Sequence, residues 1–134
     1  MKAIVCTTLG EPELLQLQEL PSVPLRPREV RVAVASAGVN FPDALIIEDK
    51  YQFKPERPFA PGGEIAGVIE SLGPGVTNVK VGQRVIGSLG WGGMAEKVKT
   101  QAQRVLPIPD EMPFDDASAF VLTYGTSYYG LKDR

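Results

Sequence analysis

The chain has 134 residues, 43% hydrophobic and 22% charged, with a net charge of −2. That length buries one core rather than two, and the mixture is that of a folded globular domain rather than a disordered segment. The near-neutral balance gives no electrostatic case for nucleic acid or an anionic membrane surface, and no apolar run approaches the ~20 residues of a membrane span.

There is no histidine and one cysteine, Cys6. A tetrahedral Cys/His zinc site and a Ser-His-Asp or Cys-His pair are therefore excluded within this chain. A single cysteine forms no internal disulfide and suits a reducing cytoplasm. Its place in an apolar first strand makes it a packed core residue rather than a reactive thiol. The apolar residues behind Lys2 are too few for a signal peptide.

Twelve prolines and fourteen glycines punctuate short apolar runs, the pattern of many short strands in a barrel or sandwich. Lys2 to Thr7 reads as a first strand and Leu9 to Pro12 as a turn. Leu14 to Leu20 alternates Leu15 and Leu17 with Gln16 and Gln18, which predicts a half-buried strand with those leucines inward. Pro21 to Pro27 is a surface connection. Glu29 to Ala37 gives the cleanest alternation. Pro42 and Asp43 suit the first turn of a short helix through Ile47.

Tyr51 to Pro61 reads as a loop, followed by strands over Glu64 to Ser71 and Arg84 to Leu89. The glycines of Gly87 to Gly93 around Trp91 form a flexible turn. Met94 to Thr100 is a further strand with Lys97 and Lys99 outward, and Arg104 to Pro109 an edge segment. A helix with acids in its first turn starts at Pro113. Gly125 is a candidate break before a second helical stretch over Thr126 to Leu131.

Gly90-Trp-Gly-Gly-Met-Ala95 fits the G-x-G-x-x-G/A dinucleotide fingerprint, but a strand follows it instead of a helix and no βαβ unit surrounds it. It therefore reads as a hairpin loop. Asn40, between a strand and a helix, is either a cap or a side-chain amide offered to a ligand. Tyr51 is either loop packing or a phenol placed to donate a proton. Glu64, after a glycine pair, is either a buried anchor or an exposed strand-start acid.

Taken together, Met1-Lys-Ala-Ile4, Gly10 to Leu15, Arg28 to Val32, Gly38-Val-Asn-Phe-Pro-Asp43, Pro61 to Val76, Val81 to Val85, Gly92 to Glu96 and Thr126 to Tyr129 resemble the N-terminal domain of the medium-chain dehydrogenase/reductase superfamily, of the zinc-free quinone oxidoreductase type. The resemblance covers essentially the whole chain. It implies a mainly β fold with peripheral helices, a GroES-like partly open β-barrel. Residues 1–122 would form that domain, and 123–134 the start of a helix leading to a Rossmann domain. Zinc-dependent relatives hold their metal with Cys, His and Cys, where this sequence has Asn40, Gly63 and Leu122. With the ligand position occupied by Gly63, Glu64 becomes a structural anchor near the cleft floor.

The resemblance also implies roles. Asn40, Thr123 and Thr126 would contact the cofactor, NADPH. Phe41, Tyr51 and Tyr124 would contact substrate, a small quinone or enone, and Tyr51 would be the catalytic proton donor. The reaction would be hydride transfer to a conjugated carbonyl without zinc. Enoyl-thioester reduction and a non-catalytic GroES-like interaction module are the alternatives. Because no Gly-rich βαβ turn lies within the 134 residues, NADPH is expected to bind this chain weakly without a Rossmann partner, and self-association through the C-terminal stretch is a further expectation.

Overall fold

The computed structural model describes residues 1–133. Seven strands form in chain order: β1 (Lys2–Val5), β2 (Gln16–Glu19), β3 (Glu29–Gly38), β4 (Glu64–Leu72), β5 (Arg84–Ser88), β6 (Lys97–Gln101) and β7 (Val105–Pro107). They make a two-stranded ribbon, β1-β2, and a five-stranded antiparallel sheet in the order β6-β3-β4-β5-β7. The sheets do not close on each other, so the expected mainly β, partly open architecture is what the chain adopts.

The core follows the alternation of β3. Val30 and Val32 are fully buried and pack with Ile65, Ile69, Val85, Val98 and Val105 from the neighbouring strands. Burying each such side chain contributes about 1.5–3 kcal/mol. Gly67 in β4 is required by a close approach. A Cβ there would lie 2.1 Å from the Ala33 carbonyl oxygen, beside the register shift between Val34 and Ser36.

Helix α1 (Phe41–Ile47) starts three residues earlier than the apolar run Ala44–Ile47. Its entry is a capping box in which Asp43 Oδ2 accepts the Asn40 main-chain N–H at 2.8 Å. Its buried Ile46 and Ile47 pack on Cys6 and Phe59. Cys6 is fully buried, and that burial pushes its thiol above the ordinary cysteine range against a smaller opposing effect of Arg57. It is the core residue the sequence suggested.

Three local expectations are corrected. First, Leu17 faces out and is 66% exposed. In the ribbon Leu17 stands opposite Ile4, while Gln16 and Gln18 stand opposite Val5 and Ala3. Cross-strand partners share a face, and it is Ala3 and Val5 that occupy the core, so Leu17, opposite Ile4, falls on the outer face of the ribbon. Second, β6 begins at Lys97 rather than Met94, because Met94 and Glu96 turn toward β1 while only the Glu96 carbonyl still reaches β3, at Val34 N–H. Met94 O and Glu96 N–H bond Ile4 N–H and Lys2 O at 2.9 Å each. Lys97 and Lys99 lie at the surface, paired with Glu70 and Glu29.

Third, Gly125 does not interrupt the C-terminal helix. Helix α2 (Phe114–Ser118) packs on β3 and β4 and is followed by a helical run over 121–133. Gly125 has φ −64 and ψ −42 within that run. The run is wound as π-type turns, Val121–Gly125 and Tyr129–Asp133, around the short α3 (Thr126–Tyr128). Among the described residues no helix is long and apolar enough to cross a membrane.

Candidate functional site

The antiparallel order places the C-terminal end of β3, the N-terminal end of β4 and the C-terminal end of β5 side by side. Gly38 and Ser88 both pair with Glu64. Two residues beyond Gly38 lies Asn40, and one residue before Glu64 lies Gly63. The sheet therefore assembles its polar end from segments far apart in sequence.

Glu64 is 4% exposed, and both its oxygens are engaged by different elements. Oε2 accepts from Asn40 Nδ2 at 2.9 Å. Oε1 accepts from the Leu122 main-chain N–H at 2.6 Å. A carboxylate has no proton to give, so Asn40 must turn its NH₂ toward Glu64, which fixes the orientation of the amide. Glu64 thus ties the start of α1 to the start of the C-terminal helical run. It is the buried anchor of the two sequence alternatives.

Asp43 lies beside it, 6% exposed. Besides the Asn40 N–H, its carboxylate accepts the Gly62 N–H at 3.2 Å through Oδ1. Burial pushes the Asp43 carboxyl above the ordinary range. The main-chain N–H groups of Asn40, Gly62 and Gly63 act against that shift, and the nearby Glu64 carboxylate adds to it.

Above this floor is a cavity of about 410 Å³, within the ordinary size of a small-molecule site, about 300–1,000 Å³. Asn40, Tyr51, Gly63, Glu64, Thr126 and Tyr129 are among its lining residues. The structure thus brings together Asn40, Tyr51 and Thr126, which the sequence could only name separately. Tyr51 is half-buried against the Cys6–Phe59 cluster and meets Phe53 edge-on, with ring centroids 5.4 Å apart.

Phe41, Thr123 and Tyr124 do not line this cavity. Phe41 is 75% exposed on the first turn of α1. Tyr124 projects to the surface and packs on Phe120, while the Thr123 carbonyl accepts from Ser127 Oγ. The sequence reading gave no site role to Asp43, Ser88, Leu89 or Tyr129. Only Asp43 carried a signal, the Asn40-to-Asp43 spacing of a capping box.

Four of the six main-chain N–H groups of the Gly90–Ala95 segment, those of Gly92 to Ala95, are committed to main-chain carbonyls. Gly92, Gly93 and Met94 donate to the Ala60, Gly62 and Pro61 carbonyls at 2.7–2.9 Å. A phosphate cradle needs such groups pointing at the ligand, so this loop is structural. Among the described residues there is no group of three or more acidic or Cys/His side chains placed to hold a metal ion.

Residues 26–110 match the alcohol dehydrogenase GroES-like domain. The chain is 41% identical to the quinone oxidoreductase-like protein 2 homolog of Nematostella vectensis, over 99% of its own length and 36% of that protein's. Its fold superposes on the crystal structure of the human synaptic vesicle membrane protein VAT-1 homolog-like protein with a TM-score of 0.94 at 31% identity, covering 99% of this chain and 43% of that one. For the Escherichia coli quinone oxidoreductase complexed with NADPH the values are 0.93 and 29%, covering 98% and 40%. The chain thus spans well under half the length of the relatives it matches. With the family match over residues 26–110 and the same fold as those relatives, the chain belongs to the alcohol dehydrogenase GroES-like domain family of the medium-chain dehydrogenase/reductases.

Proposed function

We propose that this chain is the substrate-side domain of a zinc-independent, NADPH-dependent oxidoreductase of quinones or other α,β-unsaturated carbonyls. Residues 1–122 would form the GroES-like unit and the stretch from 123 onward the start of the helix leading to a Rossmann domain, with Arg134 of that stretch outside the described residues. The observation that carries the reading is the cavity that joins Asn40, Tyr51 and Thr126 over a fully bonded Glu64. The length of the relatives and the NADPH-bound E. coli neighbour support the nucleotide-binding partner and the cofactor. The enzyme is proposed to act in the cytoplasm.

The lining fits the nicotinamide end of the cofactor. Gly63 contributes no side chain, and a Cβ there would lie 3.3 Å from the Leu89 carbonyl oxygen, so the glycine keeps that wall open. Asn40 and Thr126 would hold that end by hydrogen bonds from opposite chain segments. When bound, reduced nicotinamide supplies a hydride to the conjugated carbonyl. Asn40, turned by Glu64, offers its remaining amide N–H, and Tyr51 its phenol, to the oxygen on which charge develops. Tyr51 then gives the proton that neutralises it.

Three measurements test this. Tyr51→Phe in the enzyme completed by its Rossmann domain should lower kcat by about 10²-fold or more; an unchanged kcat removes Tyr51 as the donor. Titration of the 134-residue chain with NADPH, followed by nicotinamide fluorescence, should show no micromolar binding. Saturation in that range overturns the need for a second domain. Turnover of a quinone against a crotonyl thioester separates quinone reduction from enoyl-thioester reduction.

A further inference from the structure

A second, larger hollow, of about 850 Å³, lies next to the cavity described above. The two share one wall, made by Phe53, Leu89 and Gly90. The Phe53 ring packs over Gly90, where a Cβ would stand 3.4 Å from two ring carbons. Trp91 continues the aromatic row into the larger hollow, its ring centroid 6.1 Å from that of Phe53. Tyr51, Phe53 and Trp91 thus run from the proposed reaction site into the second hollow. Phe53 is 40% and Trp91 44% exposed, although both are large apolar side chains. Leu20, Phe59, Ala60 and Val98 deepen that hollow, and its charged residues are Lys97, Lys99 and Arg104 from β6 and the segment after it, Glu29 at the start of β3 and Glu56 from the loop before β4.

We propose that this hollow is a subsite for an apolar chain carried by the substrate, an alkyl or isoprenoid substituent several carbons long on the quinone or enone head. The proposal rests on the reading of the smaller cavity as the head site, since the occupant is the tail of the same molecule. The head site is too small for such a tail as well as a nicotinamide. The shared wall gives the tail a route past Phe53, and the aromatic row gives it a flat apolar face. No covalent step is involved.

Trp91 is the only tryptophan, so its emission reports occupation of the hollow directly in the 134-residue chain, without nucleotide or turnover. Saturable quenching by a decyl-substituted benzoquinone is expected at a concentration about tenfold lower than by 1,4-benzoquinone, a step that burial of two methylenes already accounts for. 1-Decanol, which has the chain and no quinone head, should displace the decyl quinone. In Trp91→Ala, followed by calorimetry, the ratio of the two affinities should fall toward one. Equal affinities in the wild-type chain, no displacement by 1-decanol, or a ratio kept at tenfold in Trp91→Ala would each overturn the subsite. Failure of the completed enzyme to reduce quinones would sink the proposed reaction and leave these binding results standing, so the two ideas fail separately.

Discussion

Two glycine-rich segments of this chain look alike in sequence and differ in what they can do. Gly62-Gly63-Glu64 opens β4, and Gly90-Trp-Gly-Gly-Met-Ala95 fills the connection after β5. In the first, glycine clears space so that two buried carboxylates, Asp43 and Glu64, gather N–H groups from α1, from the chain entering β4 and from the C-terminal run. In the second, the N–H groups bond the main chain of residues 60–62. The two segments are in fact bonded to each other, since Gly93 N–H reaches Gly62 O at 2.9 Å. A glycine pattern is therefore no site in itself. What decides is whether the freed N–H groups and the freed space face a ligand or another strand.

Gly62 is where the two segments meet most tightly. Its φ is +105, and a Cβ would stand 2.9 Å from Met94 N and 3.1 Å from Gly93 Cα. Gly62→Ala should cost about 3 kcal/mol, from backbone strain and the clash that pushes the two segments apart. Urea unfolding measures it, and a loss no larger than at an unconstrained glycine would mean the segments are not locked together.

Glu64→Ala comes next. It leaves the Leu122 N–H and the Asn40 amide without their partner and should cost about 2 kcal/mol. In the completed enzyme the same variant should change NADPH affinity less than it changes stability. The opposite order would make Glu64 a ligand-contacting group instead of an anchor. Gly92→Ala should be milder, about 1 kcal/mol, because its φ of +99 is strained for alanine while nothing lies within 4 Å of the added Cβ. If Gly92→Ala proves as costly as Gly62→Ala, strain alone governs both, and the packing of Gly62 against Met94 adds nothing.

The smallest effect is electrostatic. Asp43 is raised in the folded state, so folding favours its protonated form. Its contribution is complete below the ordinary carboxylate range and is lost as pH rises through the raised value. Glu29 has the opposite sign: the Arg26 N–H, then Lys99, hold it low, so its contribution is present above that range and is lost on acidification. Asp43→Asn should therefore remove a loss of stability with rising pH, and Glu29→Gln a loss with falling pH. Urea midpoints across pH 3 to 7, about the carboxylate range, test both, and slopes of the reverse sign would contradict the assignment.

Much of this was legible from residue order. The alternation of Val30, Val32 and Val34 placed β3 and its buried face, the proline and acid after Asn40 marked α1, and Cys6 lay in the core as its apolar neighbours suggested. The strand after Met94 told against a dinucleotide turn. The exclusion of a Cys/His zinc site followed from the residue inventory alone. Leu17 and Gly125 were misread because local pattern carries period and propensity without partners. Leu17 has the spacing of a core residue, yet its pleat is set by the residues of β1 it stands beside. Gly125 has a helix breaker's propensity, yet the flanking residues hold it helical.

Residue order alone carries the strand set, the family and the residue types at the head of β4, since each depends on short-range pattern or on identity. Three-dimensional packing decides that Glu64 bonds both Asn40 and Leu122, that Thr126 reaches the cavity of Tyr51 while Phe41, Thr123 and Tyr124 do not, and that the N–H groups of Gly92 and Gly93 are spent on residues 60–62. Those facts join residues tens of positions apart. They are set by antiparallel strand order and by which buried polar groups must satisfy one another, and no local stretch of sequence records either.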